Sequence, residues 1–295
     1  MTMSTQPRVS YMEPRLKGVG YIAISACSFA TMAIFAKTAY GSGAETLAVL
    51  LMRFGLSSLI MIAIMQVGNY RWPQGRNLLT LIGMGSLGYA GQSFCFFAAL
   101  NYASAGLVAL LLYLHPVMVA LAGSTFLGYR LTVKKFLAIL TALAGTALTI
   151  GGAASGSTLG IFLGISAAII YSVYILVGSK MLKAETPIAA ATVIMLSATA
   201  VFASLALMTK PAFPQTTTGW IAVGCIALIS TVVAMITFFA GLRLMSPGDA
   251  ATISTLEPLV TVVLAAIYLA EPLTVTKVIG GAIIVGSLIV LARSR

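Results

Sequence analysis

Apolar residues run along this chain in long, nearly unbroken blocks separated by short polar punctuation. A block of about 20 predominantly apolar residues is the length that crosses a bilayer core as a helix. Such blocks stand at roughly 18–36, 46–66, 78–100, 104–127, 136–152, 159–179, 187–208, 219–241, 249–270 and 276–292, predicting ten spans. Little chain remains for a soluble domain. The blocks are rich in helix formers and small residues, and no ten-residue alternating segments recur, which argues against a β-barrel. The expected fold class is all-α: a polytopic membrane protein of ten transmembrane helices.

Composition agrees, since apolar residues make up 60% of the chain and charged residues 8%, outside the range of soluble domains. The basic residues are placed unevenly. With the N-terminus inside, Arg8, Arg15, Lys17, Arg71, Arg76, Arg130, Lys134, Lys135, Lys180, Lys183, Arg243, Arg293 and Arg295 fall on the cytoplasmic side, against Lys37, Lys210 and Lys277 outside. That asymmetry follows the positive-inside rule and supports an even number of spans, with both termini cytoplasmic. The net charge of +11 is therefore read as contact with an anionic inner leaflet, not as nucleic-acid binding. "ISAC" at Ile24 to Cys27 imitates a lipoprotein cleavage site. The apolar run continues past it with no polar mature sequence following, so it is read as part of the first span. Cys27, Cys95 and Cys225 all fall inside spans without metal-ligand or paired spacing, and are expected in the core. No cofactor and no metal are implied.

Shifting the chain against itself by 142 residues exposes a repeat. "FFAAL" from Phe96 falls on "FFAGL" from Phe238, Gly106 on Gly248, Pro116 on Pro258, "LTVKK" from Leu131 on "LTVTK" from Leu273, and Gly18 on Gly160. The expected organisation is a tail at 1–17, a five-helix unit at 18–150, an external linker at 151–158, a second five-helix unit at 159–292 and a short C-terminus at 293–295. Five is odd, so the second unit enters the membrane inverted. Inverted repeats with a midplane site between them are a recurring transporter plan, although duplication alone could also build a larger bundle.

The end of the second unit reads "EPLVTVVLAAIYLAEPLTVTKVIGGAIIVGSLIVLA" from Glu257. With ten spans in two halves, it resembles the EamA-type repeat of the drug/metabolite transporter superfamily, and the resemblance covers nearly the whole chain. The pattern consists of a mid-helix proline, an acidic residue closing the ninth span, Leu-Thr opening the tenth and a Gly-rich last helix. The first half departs from it, with Tyr129 where Glu271 stands in the second. The resemblance implies export or exchange of small metabolites, with bacterial amino-acid exporters nearest in character.

Candidate site residues come from polar positions inside the spans. Pro116 and Pro258 cannot donate to the carbonyls of Leu112 and Ser254, and each ring disrupts its helix. They predict symmetry-related kinks, either static bends or hinges. His115 and Glu257 precede them at equivalent positions, and ionisable groups at this depth face protein or a wet cavity. Glu257, sharing a face with Ser254 and Thr261, is the stronger candidate for ligand or proton binding; His115 sits among apolar neighbours and also suits a neutral packing role. Tyr113 lies on a face with Gly106, Ala109, Pro116 and Ala120, about 200° around the helix from His115, so only the kink could turn both toward one cavity.

Gly85, Ser86, Tyr89, Gln92, Ser93 and Phe96 form a polar stripe at helical spacing on the third span. Tyr171 and Tyr174 share a face of the sixth, and Ser230, Thr231 and Thr237 lie on the eighth. The substrate-binding set is Tyr89, Gln92, Ser93, Tyr113, His115, Tyr171, Tyr174 and Glu257. Arg53 could meet a substrate carboxylate, but snorkelling to the outer interface or capping a carbonyl is the simpler expectation. Gly156, Gly160 and Gly164 permit close helix packing or a homodimer.

The expected function is outward transport of small neutral or zwitterionic metabolites, amino acids foremost. The rival within transport is a proton-coupled exporter of lipophilic cations using Glu257. An intramembrane enzyme is disfavoured by a single histidine and the absence of "HExxH" and "GxSxG".

Overall fold

The computed structural model describes residues 12–99, 102–103, 108, 111–150, 156–268 and 274–293. These residues are helical almost throughout, and the strand-like pairing among them is one isolated bridge between Ala103 and Gly156. In the first half α1 (Met12–Ala30) and α2 (Met32–Gly41) meet at a break on Thr31, and α3 (Thr46–Val67) returns. Next come α4 (Gly75–Gly83) and α5 (Ala90–Ala99), joined by a π-helical turn over Met84–Tyr89, then α6 (His115–Leu127) and α7 (Val133–Ile150). The second half holds α8 (Thr158–Met181), α9 (Pro187–Thr209) and α10 (Thr217–Ala227). A second π-helical turn, Leu228–Val233, leads into α11 (Ala234–Leu244), followed by α12 (Pro247–Ile253), α13 (Leu256–Tyr268) and α14 (Val275–Arg293).

Among the described residues six helical stretches are long and apolar enough to cross a membrane: Pro14–Gly41, Thr46–Val67, Thr158–Met181, Pro187–Thr209, Thr217–Leu244 and Pro247–Tyr268. Two shorter apolar helices, His115–Leu127 and Val275–Val290, accompany them. The stretches expected at 78–100 and 136–152 are helical over Gly75–Ala99 and Val133–Ile150. Most of the linker, Gly106, Ala109 and Glu271 lie outside the described residues. Leu59, Phe126, Phe162 and Leu207 point outward, as apolar side chains can when the surrounding medium is lipid. Cys27 is among the exposed residues and Cys95 and Cys225 are half-buried, so the thiols are not the core residues expected of them.

The contacts between halves respect the repeat. Of the four most extensive helix contacts, two join α7 to α14 and α3 to α9, elements that exchange with each other under the 142-residue shift. The other two, α1 with α11 and α5 with α8, exchange as pairs. Glycine makes the α7–α14 approach close: a Cβ on Gly145 would stand 2.8 Å from the carbonyl oxygen of Gly280. Gly160 and Gly164 are likewise used within the chain, against the backbone of Tyr102 and the side chain of Leu111.

Both proline kinks appear as interruptions just upstream of the ring. In the first half the helix opens at Tyr113–Leu114, and the carbonyl of Leu112, which Pro116 cannot reach as a donor, lies 3.0 Å from Nδ1 of His115. A carbonyl only accepts, so this contact requires the hydrogen on Nδ1. In the second half the opening falls at Ser254–Thr255, where the Ser254 carbonyl accepts from the backbone N–H of Glu257 at 3.0 Å. Each orphaned acceptor is thus satisfied locally, which membrane helices require because lipid offers no donor.

Candidate functional site

A cavity of about 120 Å³ opens between the two halves, lined by Phe29, Met32, Arg53, Tyr89, Gln92, Ser93, Phe96, Leu112, Tyr171 and Glu257. Its wall is built from the interrupted elements. Phe29 and Met32 flank the break between α1 and α2, Tyr89 closes the first π-helical turn, and Glu257 sits just after the opening between α12 and α13. Interrupted helices present side chains and backbone at angles a straight helix cannot reach, and π-helical turns recur at functional sites for that reason.

Five of the expected residues share this wall: Tyr89, Gln92, Ser93, Tyr171 and Glu257. The other three stand behind it. Tyr174 is buried and stacks on Tyr89 with centroids 5.5 Å apart and on Tyr171 at 6.0 Å. His115, 2% exposed, meets the Tyr171 ring edge-on at 4.8 Å, and Tyr113 lies 6.2 Å beyond it. The break at Tyr113–Leu114 is what lets Tyr113 and His115 lie near each other despite their separation on a regular helix. Nε2 of His115 is buried without a hydrogen-bond partner among the described residues.

The third-span stripe is only partly kept. Tyr89, Gln92, Ser93 and Phe96 face the cavity, but Gly85 packs against the backbone of Ile194, and Ser86 opens onto an outer groove with Val193 and Ser197. Residues 85 and 86 lie inside the π-helical turn, whose extra residue per turn changes the angular register of what precedes it. On the eighth span Ser230 pairs with Thr31 at 2.7 Å, and Thr237 bonds its own backbone.

Arg53 departs most from expectation. It neither snorkels nor caps a carbonyl. It is 4% exposed, with Nε donating to Thr231 Oγ1 at 2.9 Å and Nη2 donating to Tyr89 Oη at 2.6 Å. Its guanidinium carbon stands 4.8 Å from the Phe54 ring centroid and 5.4 Å from that of Tyr89. Tyr89 and Thr231 are one repeat apart in sequence, so a single arginine, with Met195 at its own repeat-equivalent position, joins equivalent points of the two halves. An aromatic series continues behind it: Phe202 on Phe54 at 5.4 Å, Phe54 on Tyr89 at 5.2 Å, and Tyr174 on Phe239 at 6.1 Å. Such pairs contribute roughly 0.5–1.5 kcal/mol each beyond simple burial.

Phe29, Met32 and Leu112 carried no sequence signal, being apolar residues in apolar spans. Among the described residues no group of three or more His, Cys, Asp or Glu could hold a metal ion. At the end of the molecule where α7 and α12 begin, Lys135 Nζ meets Asp249 Oδ1 at 2.9 Å, both side chains largely buried. The pair borders a small second cavity with Tyr129, Arg130 and Ser246.

Known proteins share this plan. A solved crystal structure superposes with a TM-score of 0.83 at 20% identity, covering 95% of this chain and 98% of the other; at that identity the likeness concerns the fold. An uncharacterized transporter of Archaeoglobus fulgidus is 27% identical over 283 residues, 94% of this chain and 96% of its own. The uncharacterized transporter YcbK of Bacillus subtilis is 29% identical over 89% of this chain and 88% of its own. The model of the EamA-like transporter family matches twice, at residues 16–151 and 158–293. A multi-pass helical chain whose halves both carry that match belongs to the EamA-like transporter family.

Proposed function

We propose that this transporter exports small neutral or zwitterionic metabolites across a bacterial inner membrane, with amino acids, including aromatic and bulky apolar ones, as the foremost class. The observation that carries the reading is the cavity between the halves, where one carboxylate, Glu257, shares a wall with the aromatic rings of Tyr89 and Tyr171 and the polar groups of Gln92 and Ser93. Glu257 receives the substrate's ammonium group, a charge-assisted hydrogen bond. The rings offer apolar and stacking surface to the side chain. Tyr113, His115 and Tyr174 shape the site from behind.

Movement follows from the repeat. If the halves are inverted relative to each other, exchange of their conformations exposes the cavity alternately to each side. The openings ahead of Pro116 and Pro258 supply the hinges. Both termini face the cytoplasm, as the distribution of lysine and arginine favours. An uncoupled carrier of this kind moves whatever the cell accumulates.

The test is flux into proteoliposomes containing only this protein, with a panel of radiolabelled amino acids competed by one another. Saturable amino-acid counterflow is expected. Flux of lipophilic cations alone would replace this reading with the drug-exporter alternative, which the positive charge of Arg53 on the cavity wall disfavours.

A further inference from the structure

We propose that Arg53 binds the carboxylate of the transported solute, so that Arg53 and Glu257 together select free α-amino acids against amines, amino esters and simple carboxylic acids. The inference deepens the amino-acid reading above and rests on it.

The first support is the charge state of the site. A guanidinium stays protonated at any ordinary pH, and Arg53 is nearly inaccessible inside a membrane-spanning helix. Charges at such depth are normally matched by a countercharge or open to water. Among the described residues the hydrogen bonds that Arg53 makes go to two hydroxyls, of Tyr89 and Thr231, which orient the group without neutralising it. The carboxylate on the same cavity wall belongs to Glu257, and no ion pair of 4 Å or less joins them among the described residues. The cavity therefore holds a guanidinium and a carboxyl group apart. A solute carrying both charges completes each; a cation leaves Arg53 unmatched, and an anion leaves Glu257 so.

Geometry is the second support. A guanidinium has five N–H groups in a planar fork. With the N–H of Nε and one of Nη2 committed to Thr231 and Tyr89, three N–H groups, two on Nη1 and one on Nη2, have no hydrogen bond among the described residues and are left for a ligand. The group is fixed from two sides by hydroxyls and lies near the rings of Phe54 and Tyr89. Such immobilisation before binding lowers the ordering cost of recognising a carboxylate. The anchors come from both halves, α3 with the first π-helical turn and the second π-helical turn of the other repeat. A carboxylate bound at Arg53 is thus held at the seam on which alternating exposure depends.

The experiment uses the full-length chain in proteoliposomes, with L-leucine and L-phenylalanine as labelled probes. Each is competed by the unlabelled amino acid, its methyl ester, its decarboxylated amine and its deaminated acid. In the native protein, loss of either charged group is expected to weaken competition about tenfold or more, the scale of a hydrogen bond to a charged group. In Arg53→Gln, the preference for amino acid over ester and amine should shrink to within about threefold, while the preference over the deaminated acid persists. Should Arg53→Gln fail to fold, ligand protection of the native protein against heat in detergent gives the same comparison between amino acid and ester. Counterflow of amino acids in which ester and parent compete equally overturns the Arg53 assignment and leaves the amino-acid reading standing. Absence of any amino-acid flux or binding overturns both.

Discussion

Tyr89 and Thr231, equivalent residues of the two repeats, both accept hydrogen bonds from the single guanidinium of Arg53, at 2.6 and 2.9 Å. Thr231 is fully buried and its hydroxyl also donates to the Ile226 carbonyl at 2.9 Å, five residues back, as a π-helical turn permits. Thr231→Val keeps the shape and removes both bonds. The expected cost is about 1.5–3 kcal/mol, the range for a hydrogen bond to a charged group. Thermal unfolding in detergent measures it, and a cycle with Tyr89→Phe should show coupling, because the two hydroxyls position one group. Additive losses would mean that the arginine is held by something else.

The Lys135–Asp249 pair joins the start of α7 to the start of α12, and hence one half to the other. Its repeat-equivalent positions are Lys277 and Leu107, so the sequence carries no carboxylate at 107 to copy the pair. Asp249→Asn should destabilise this state by about 3 kcal/mol, as for a largely buried pair losing one partner, and raise thiol labelling of a cysteine placed at Ala120. The reversed pair Lys135→Asp with Asp249→Lys should restore much of both. Unchanged labelling in Asp249→Asn would mean that the pair does not shield position 120.

Glu257→Gln separates binding from proton exchange. If Glu257 orients an ammonium group, transport driven by a pH gradient and exchange at equal pH should fall together, by about tenfold or more. A permanently neutral amide that spared exchange and abolished only the driven mode would instead identify a proton carrier. Acidification of the medium in step with flux, lost in the variant, would reinforce that outcome.

His115 supplies the donor that the Leu112 carbonyl needs beside Pro116. His115→Leu should therefore cost about 1–3 kcal/mol, the penalty of a buried acceptor left unmatched. Asn, which offers a side-chain N–H, should recover part of the loss. Equal melting temperatures for the Leu variant and the native protein would show that the carbonyl finds another partner.

Orientation is tested with cysteines introduced at the exposed positions Thr158 and Lys183 in a chain lacking Cys27, Cys95 and Cys225. An impermeant thiol reagent on intact cells should label position 158 and spare 183. The reverse pattern would overturn the assignment of both termini to the cytoplasm.

Block length and hydropathy were enough to read an all-helical membrane protein from the sequence, because a bilayer leaves few ways to satisfy a backbone. The 142-residue repeat was equally legible, since equivalent glycines, prolines and Leu-Thr steps survive in both halves. Tyr89, Gln92 and Ser93 could be found because they share one helix face, and Glu257 because an acid inside an apolar span is conspicuous. Which spans meet is another matter. Helical periodicity describes one helix at a time and says nothing of its neighbours, so Arg53 looked solitary until Tyr89 and Thr231 closed around it from two other spans. The π-helical turn displaced Ser86 from a stripe that regular spacing had assigned to it. Tyr174, Tyr113 and His115 moved to a second layer for the same reason: how deep a side chain lies behind a cavity depends on the packing of several helices, and no single one encodes it.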